Sequence, residues 1–291
     1  MILRTLSVLL LSALICTSHA TTALFKDIFK GPKPILAAVM LEGDLTTEKN
    51  RKAVLKKALD QLKIAQDEGV DSILYEFRGG GILKPAVTDL KLNRMVAITK
   101  EIIKRAKNVV IGVEILWHYP EDTLKLAARS GAKYVRVDFF SDDMIADGTR
   151  VPLNPEGLKV LQKKLGAEKI ALFTDIQVKY AKMVDKNITV AQSAARAEIL
   201  GSQGMIVTGE KSGHPPQPGY VARSRKGITN SNIIIGSGFD FKNAKGLMQH
   251  ADAAIVGTSI STKTGGVLIP AKVRKLMKVV REIRKEAKNS L

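Results

Sequence analysis

Two short glycine-bearing runs stand at the ends of apolar segments late in the chain. Ile233-Ile234-Ile235 leads into Gly236-Ser237-Gly238, and Ile255-Val256 leads into Gly257-Thr258-Ser259. Glycine lets the main chain approach an anion closely and present successive N–H groups, while serine and threonine hydroxyls add donors. The pair reads as a phosphate site; read as tight turns only, the same residues need no ligand. A third run, Thr208-Gly209-Glu210-Lys211-Ser212-Gly213, ends another apolar segment. It opens a polar loop with His214-Pro215-Pro216-Gln217-Pro218, whose prolines make it a stiff, shaped lid.

Charged side chains recur where other apolar segments end. Arg136 and Asp138 are two apart, as are Asp175, Gln177 and Lys179, and such spacing places each set on one face of a strand. Glu76 with Arg78, and Glu114 with His118, end two further segments. The result is a ring of carboxylates interleaved with Arg136, Lys179 and His118, able to supply acid–base partners and hydroxyl-binding groups for a sugar. Glu114, Asp138, Asp175 and Lys179 are the candidates for catalysis. Glu76, His118, Arg136, Gln177, Thr208, Gly209, Ser212 and Gly213 are the candidates for ligand binding. A structural ion-pair network is the alternative reading, and Trp117 and His118 read equally as loop packing. Glu76, Asp138 and Asp175 have the chemistry to hold Mg²⁺, but no spacing requires a metal or any other cofactor. Zinc patterns, a Gly-x-Ser-x-Gly elbow and a Walker loop are missing from the sequence.

These residues need a frame. Short β-rich segments at 35–41, 70–77, 109–116, 133–139, 169–176, 205–208, 232–235 and 253–256 alternate with segments of helical period. The helical segments are 48–68, 92–107, 120–129, 155–165, 189–200, 220–226, 241–249 and 270–288. Apolar runs without alternation suit strands buried on both faces of a parallel sheet. Asn154-Pro155 starts a helix, and Gly69, Gly131, Gly166 and Gly201 stand where left-handed caps end them. Strict alternation over residues 35–291 predicts one (β/α)8 TIM barrel, whose ligands gather at the C-terminal ends of the strands. The competing open sheet lacks its Gly-x-Gly-x-x-Gly fingerprint after the first strand.

The N-terminal residues 1–20 read as a signal peptide, with Arg4 as the positive region, Leu6 to Ile15 as the apolar run and cleavage after Ala20. An uncleaved anchor is the alternative. Residues 21–34 form an extension. The expected location is therefore outside the cytoplasm, periplasmic or secreted, with membrane association compatible. Cys16 is the single cysteine, so a disulfide framework is ruled out. The balance of 46 Lys plus Arg against 28 Asp plus Glu suits phosphorylated ligands or an anionic membrane surface. Nucleic acid is disfavoured, because the basic helical segments carry no interleaved aromatics. A homo-oligomer is left open.

The ordered strand ends resemble those of the BtpA family. The residues that carry the likeness are Gly69 to Ile73 with Glu76 and Phe77, Gly112 to Leu116, Val135-Arg136-Val137, Ala146-Asp147-Gly148 and Asp175 to Lys179. Ile206 to Gly209, Ser212-Gly213, Gly236 to Gly238, and Ala251-Asp252 through Ser259 complete it. The resemblance implies a TIM barrel with phosphate-binding loops. It also implies either a nucleosidase-like or sugar-metabolic activity, or a non-catalytic role at a membrane of the photosystem I biogenesis type. The chain departs from the family pattern at Met40 to Gly43, Leu116 to Tyr119 and Val178 to Tyr180, where the family carries other polar or titratable residues.

Overall fold

Valine, isoleucine, leucine and alanine dominate the strand segments, and burial on both sides is what such segments require. The computed structural model describes residues 24–79, 87–217, 219–262 and 266–289. Its strands are β1 (Ile35–Leu41), β2 (Ser72–Arg78), β3 (Val110–Leu116), β4 (Tyr134–Val137), the short β5 (Met144–Ala146) and β6 (Thr149–Arg150), β7 (Ala171–Ile176), the short β8 (Ala181–Met183), β9 (Gly204–Val207), β10 (Asn232–Ile235) and β11 (Ala253–Val256). Eight of them close a parallel barrel in the order β1-β11-β10-β9-β7-β4-β3-β2. The predicted (β/α)8 barrel is the observed fold.

The helices α1 (Glu48–Glu68), α2 (Asp89–Arg105), α3 (Pro120–Ser130), α4 (Pro155–Lys164), α5 (Val190–Ile199), α6 (Tyr220–Arg225), α7 (Ala244–Met248) and α8 (Pro270–Asn289) surround it. Local chemistry sets their ends. The Asn154 side chain accepts from the Gly157 amide at 3.0 Å with Pro155 in the first turn, and Thr189 and Gln192 form a reciprocal capping box. Some expected boundaries move by a few residues. The fourth strand stops at Val137 and the seventh helix shrinks to five residues, because Asp240 and Asn243 bond each other's main chain and hold the preceding turn outside the helix.

Inside the barrel, Leu36, Leu74, Tyr134, Phe173, Ile206 and Ile234 form a buried apolar layer. Tyr134 stacks on Phe173 with centroids 4.7 Å apart. Gly112 makes room for that ring, since a Cβ there would come within 2.1 Å of Tyr134 Cζ. Phe25 and Phe29, from the segment read as an extension, pack on Phe173 and Tyr134 and plug the N-terminal end. That end is fastened further by Asp71, which accepts from the Ile35 amide and from Arg284 of α8.

The opposite, C-terminal mouth carries an unforeseen feature. The connections after β4 and β7 form a small antiparallel sheet in the order β6-β5-β8, closed over Phe139, Met144, Ala146, Val151 and Val178. Asp147 and Gly148 make its hairpin turn, both with positive φ, as a two-residue turn of this twist demands. Among the described residues no helix is long and apolar enough to cross a membrane. The segment read as a signal peptide lies outside the described residues.

Candidate functional site

One layer above the apolar interior, four neighbouring strands replace hydrophobic residues by charged ones. Glu76 follows Leu74 by two residues on β2, Arg136 follows Tyr134 on β4, and Asp175 follows Phe173 on β7. Glu114 of β3 lies in register with Glu76. Period-two alternation therefore points all four inward. Arg136 is the centre of the group. Its Nε and Nη2 donate to both oxygens of Asp175 at 2.8 and 3.0 Å. Glu76 and Glu114 lie 3.6 and 3.9 Å from its Nη1, and Asp138 lies 3.8 Å from its Nε.

Four carboxyl groups around one guanidinium cannot all ionise cheaply away from water. Glu114 shows the consequence most clearly: it is 2% exposed, and neither carboxyl oxygen has a hydrogen-bond partner. Burial, reinforced by the neighbouring carboxylate of Asp138, pushes its carboxyl well above the usual range. Burial raises Glu76 as well, against the opposing charges of Arg136 and Lys179. It also raises Asp175, with the Arg136 pair pulling the other way. Arg136 itself stays charged, because the surrounding carboxylates outweigh its own burial. The carboxylates considered for Mg²⁺ are thus turned on a guanidinium. Among the described residues no cluster of His, Cys, Asp and Glu is arranged to hold a metal.

Above this group a cavity of about 860 Å³ opens along the barrel mouth. Glu76, Arg136, Asp138 and Lys179 line it on one side, and Gly236 to Gly238, Gly257 to Ser259, Ser212 and Gly213 line it on the other. Most of the residues singled out in the sequence lie on this cavity, and several do not. Glu114 and Asp175 do not line the cavity; they lie behind Arg136 and set its charge and orientation. Gln177 is withdrawn, because β7 ends at Ile176 and a φ of 46° at Gln177 breaks the strand alternation. Its amide group is spent on Ile188 O, Ser193 Oγ and the Tyr220 hydroxyl. His118 turns away for the same reason, at φ 62°. Its Nε2 meets Pro152 O at 3.1 Å and its ring braces Phe139 edge-on, in a separate side cavity of about 260 Å³.

The glycine loops are built differently from the expectation. Ser237 Oγ accepts from the Gly209 amide at 2.7 Å and donates to His214 O at 2.8 Å, and Ser259 Oγ donates to Phe239 O. Those hydroxyls hold loops together and are not free for a ligand, which leaves the main chain and the exposed Thr258 as donors. The start of the α7 segment is also taken, since Asp240 Oδ1 already accepts from the amides of Lys242 and Asn243. Gly209 and Gly238 serve close approach: a Cβ on either would run into the His214–Pro215 backbone at 2.4 and 2.0 Å. The loop expected to be a lid is therefore a fixed wall, pinned again where the Ser212 amide donates to Tyr180 Oη at 2.8 Å. Thr208 is buried against Gly236, with no partner for its hydroxyl. Pro218 lies outside the described residues.

A family model described as the BtpA family matches residues 32–282. The chain belongs to the BtpA family. Among its relatives are a mitochondrial protein of Caenorhabditis elegans, 26% identical over 80% of this chain and 86% of that one, and the photosystem I biogenesis protein BtpA of Synechocystis, 26% identical over 80% and 82%. Similar solved structures include GGGPS from Thermoplasma volcanium, with a TM-score of 0.56, 14% identity and coverage of 90% of this chain and 97% of that one. Phosphoribosyl anthranilate isomerase from Thermus thermophilus gives 0.54 at 12% identity, over 86% and 99%. These two likenesses establish the barrel fold alone.

Within this BtpA-family barrel, Met40, Trp117 and Tyr180 also line the cavity wall. Sequence reasoning did not select them as ligand-binding residues. Phe139 and Asp147, carried by the connection that forms part of the small sheet, were missed as well. The available signals were the place of Phe139 at the end of a predicted strand and the Ala146-Asp147-Gly148 run of the family likeness.

Proposed function

We propose that this barrel binds a phosphorylated sugar derivative and performs acid–base chemistry at its glycosidic carbon, a nucleosidase-like reaction. The observation that carries the reading is a single cavity joining the two glycine loops to the Arg136–carboxylate group. The phosphate would lie against the main chain of Gly236 to Gly238 and Gly257 to Ser259, with Thr258 as an added donor. The sugar would lie over Glu76, Arg136, Asp138 and Lys179. Arg136 and Lys179 hold hydroxyls. Glu76, whose affinity for a proton burial raises, donates a proton to the departing group as the glycosidic bond breaks, and Asp138 takes a proton from the attacking water. Glu114 and Asp175 serve as positioning groups for Arg136.

A thermal-shift series on the full barrel with ribose 5-phosphate, hexose 6-phosphates and the same sugars without phosphate tests this. A ligand at one hundred times its Kd stabilises by about 2.7 kcal/mol, which reads as several degrees. Stabilisation by at least one phosphate ester but not by its parent sugar is the expected result. No shift with any of them overturns the reading.

A second reading, association with an anionic membrane surface after export, is favoured by the outward face of α8. Lys272, Arg274, Lys275, Lys278 and Arg281 all lie exposed there. Co-sedimentation with anionic vesicles at low salt, lost on raising the salt, would support it. Detection of the mature N-terminus just after Ala20 in the exported fraction would support the signal peptide.

A further inference from the structure

The cavity is larger than a sugar phosphate fills, standing near the upper end of the roughly 300–1,000 Å³ typical of small-molecule sites. Its walls are also segregated. In the closed strand order β3 lies diametrically across from β10, and β4 across from β11. The glycine loops follow β10 and β11. Opposite them, Trp117 follows β3 and Phe139 follows β4, while Tyr180 follows β7 on the barrel neighbour of β4. Glu76, Arg136, Asp138 and Lys179 line the same cavity, carried by β2, β4 and the segments that follow β4 and β7.

The aromatic side is held in place; Phe139 is buried, whereas the other two rings have little cover. Trp117 is 40% exposed and Tyr180 67%. Arg78 lies over the indole with its guanidinium 5.5 Å from the ring centroid, and is itself tied to Glu42 at 2.9 Å. Tyr180 is fixed through its hydroxyl by the Ser212 amide, and Phe139 is braced by His118. Aromatic surface left open inside a concave site, with its orientation fixed by polar partners, suits a flat ring on the ligand.

We infer that the ligand is a nucleoside monophosphate or a similar phosphoribosyl compound bearing a flat aromatic group. Its phosphate lies at the glycine loops, its ribose over the Arg136 group and its ring on the Trp117–Phe139–Tyr180 side. The inference rests on the phosphate-sugar reading above and adds the aromatic part. Trp117 is the single tryptophan of the chain, so its fluorescence reports on that side alone.

The test titrates the full chain with adenosine 5′-monophosphate and with ribose 5-phosphate, following calorimetric Kd and tryptophan emission. Stacking on one ring predicts an advantage of about tenfold for the nucleotide, together with a change in Trp117 emission that ribose 5-phosphate does not produce. Trp117→Phe should keep that advantage, and Trp117→Leu should reduce it toward unity. Equal affinities for the two ligands on the native protein would overturn the aromatic assignment while leaving phosphate-sugar binding intact. If neither ligand binds, the phosphate reading fails and the aromatic assignment falls with it.

Discussion

Glu114 is a carboxylic acid enclosed by the barrel, facing three other carboxyl groups and one guanidinium without a hydrogen bond of its own. Its folded-state affinity for a proton is raised by burial above the ordinary value near 4.5, so the folded protein binds more protons than the unfolded chain between those two points. The stability this proton represents is present below about pH 4.5 and is lost as the pH rises through the folded-state value. Glu114→Gln, neutral at every pH, removes that loss. Melting temperatures at pH 5 and pH 8 should show the variant gaining on the native protein as the pH rises, and a variant that falls behind at pH 8 would contradict the raised proton affinity of Glu114. Arg136 has the opposite character, since taking it away leaves buried carboxylates without their counter-charge. Arg136→Met should cost about 3–5 kcal/mol in urea unfolding at neutral pH.

At the scale of elements, the strand ends and the loops after them follow different rules. Alternation placed Glu76, Glu114, Arg136 and Asp175 on the inner face correctly, because β2, β3, β4 and β7 continue through those positions. It failed at His118 and Gln177, where positive φ values take the chain out of the strand. The glycine loops divide in the same way. Gly238 has φ 64° and no room for a Cβ, whereas at Gly257 a Cβ would meet only Ala38 at an ordinary 3.6 Å. Gly238→Ala should therefore lower the melting temperature sharply, and Gly257→Ala should leave it within about a degree or two. Equal effects at both positions would contradict the loop geometry. The N-terminal plug is a third element-level feature. Phe29→Ala should cost about 3–5 kcal/mol of unfolding free energy if its ring belongs to the barrel interior, and a loss below 1 kcal/mol would show that the plug is dispensable.

For the molecule as a whole, the formal net charge of +18 is a self-repulsion spread over the outer helices. The screening length falls from about 30 Å at 0.01 M salt to about 8 Å at 0.15 M. The melting temperature should rise over that interval, as calorimetry at fixed pH will show; a fall would mean that attractive surface pairs dominate. The charge does not select the fold. Exposed pairs such as Lys56–Asp60 and Lys63–Asp67 on α1 contribute little at this scale.

The sequence by itself determined the barrel, because strand-length apolar runs in strict alternation with amphipathic helices can bury both faces in few other ways. It also determined which strands carry charge into the interior, since period-two spacing is a local property of the chain. Tertiary structure alone decided the rest. The small sheet over the mouth joins segments from two separate connections, and the partners of Ser237 and Tyr180 are loops distant in sequence. Arg136 became the hub only when four strands closed around it and water was excluded. The glycine loops face an aromatic wall only because closure set β10 and β11 opposite β3 and β4, a relation that spacing along the chain does not contain.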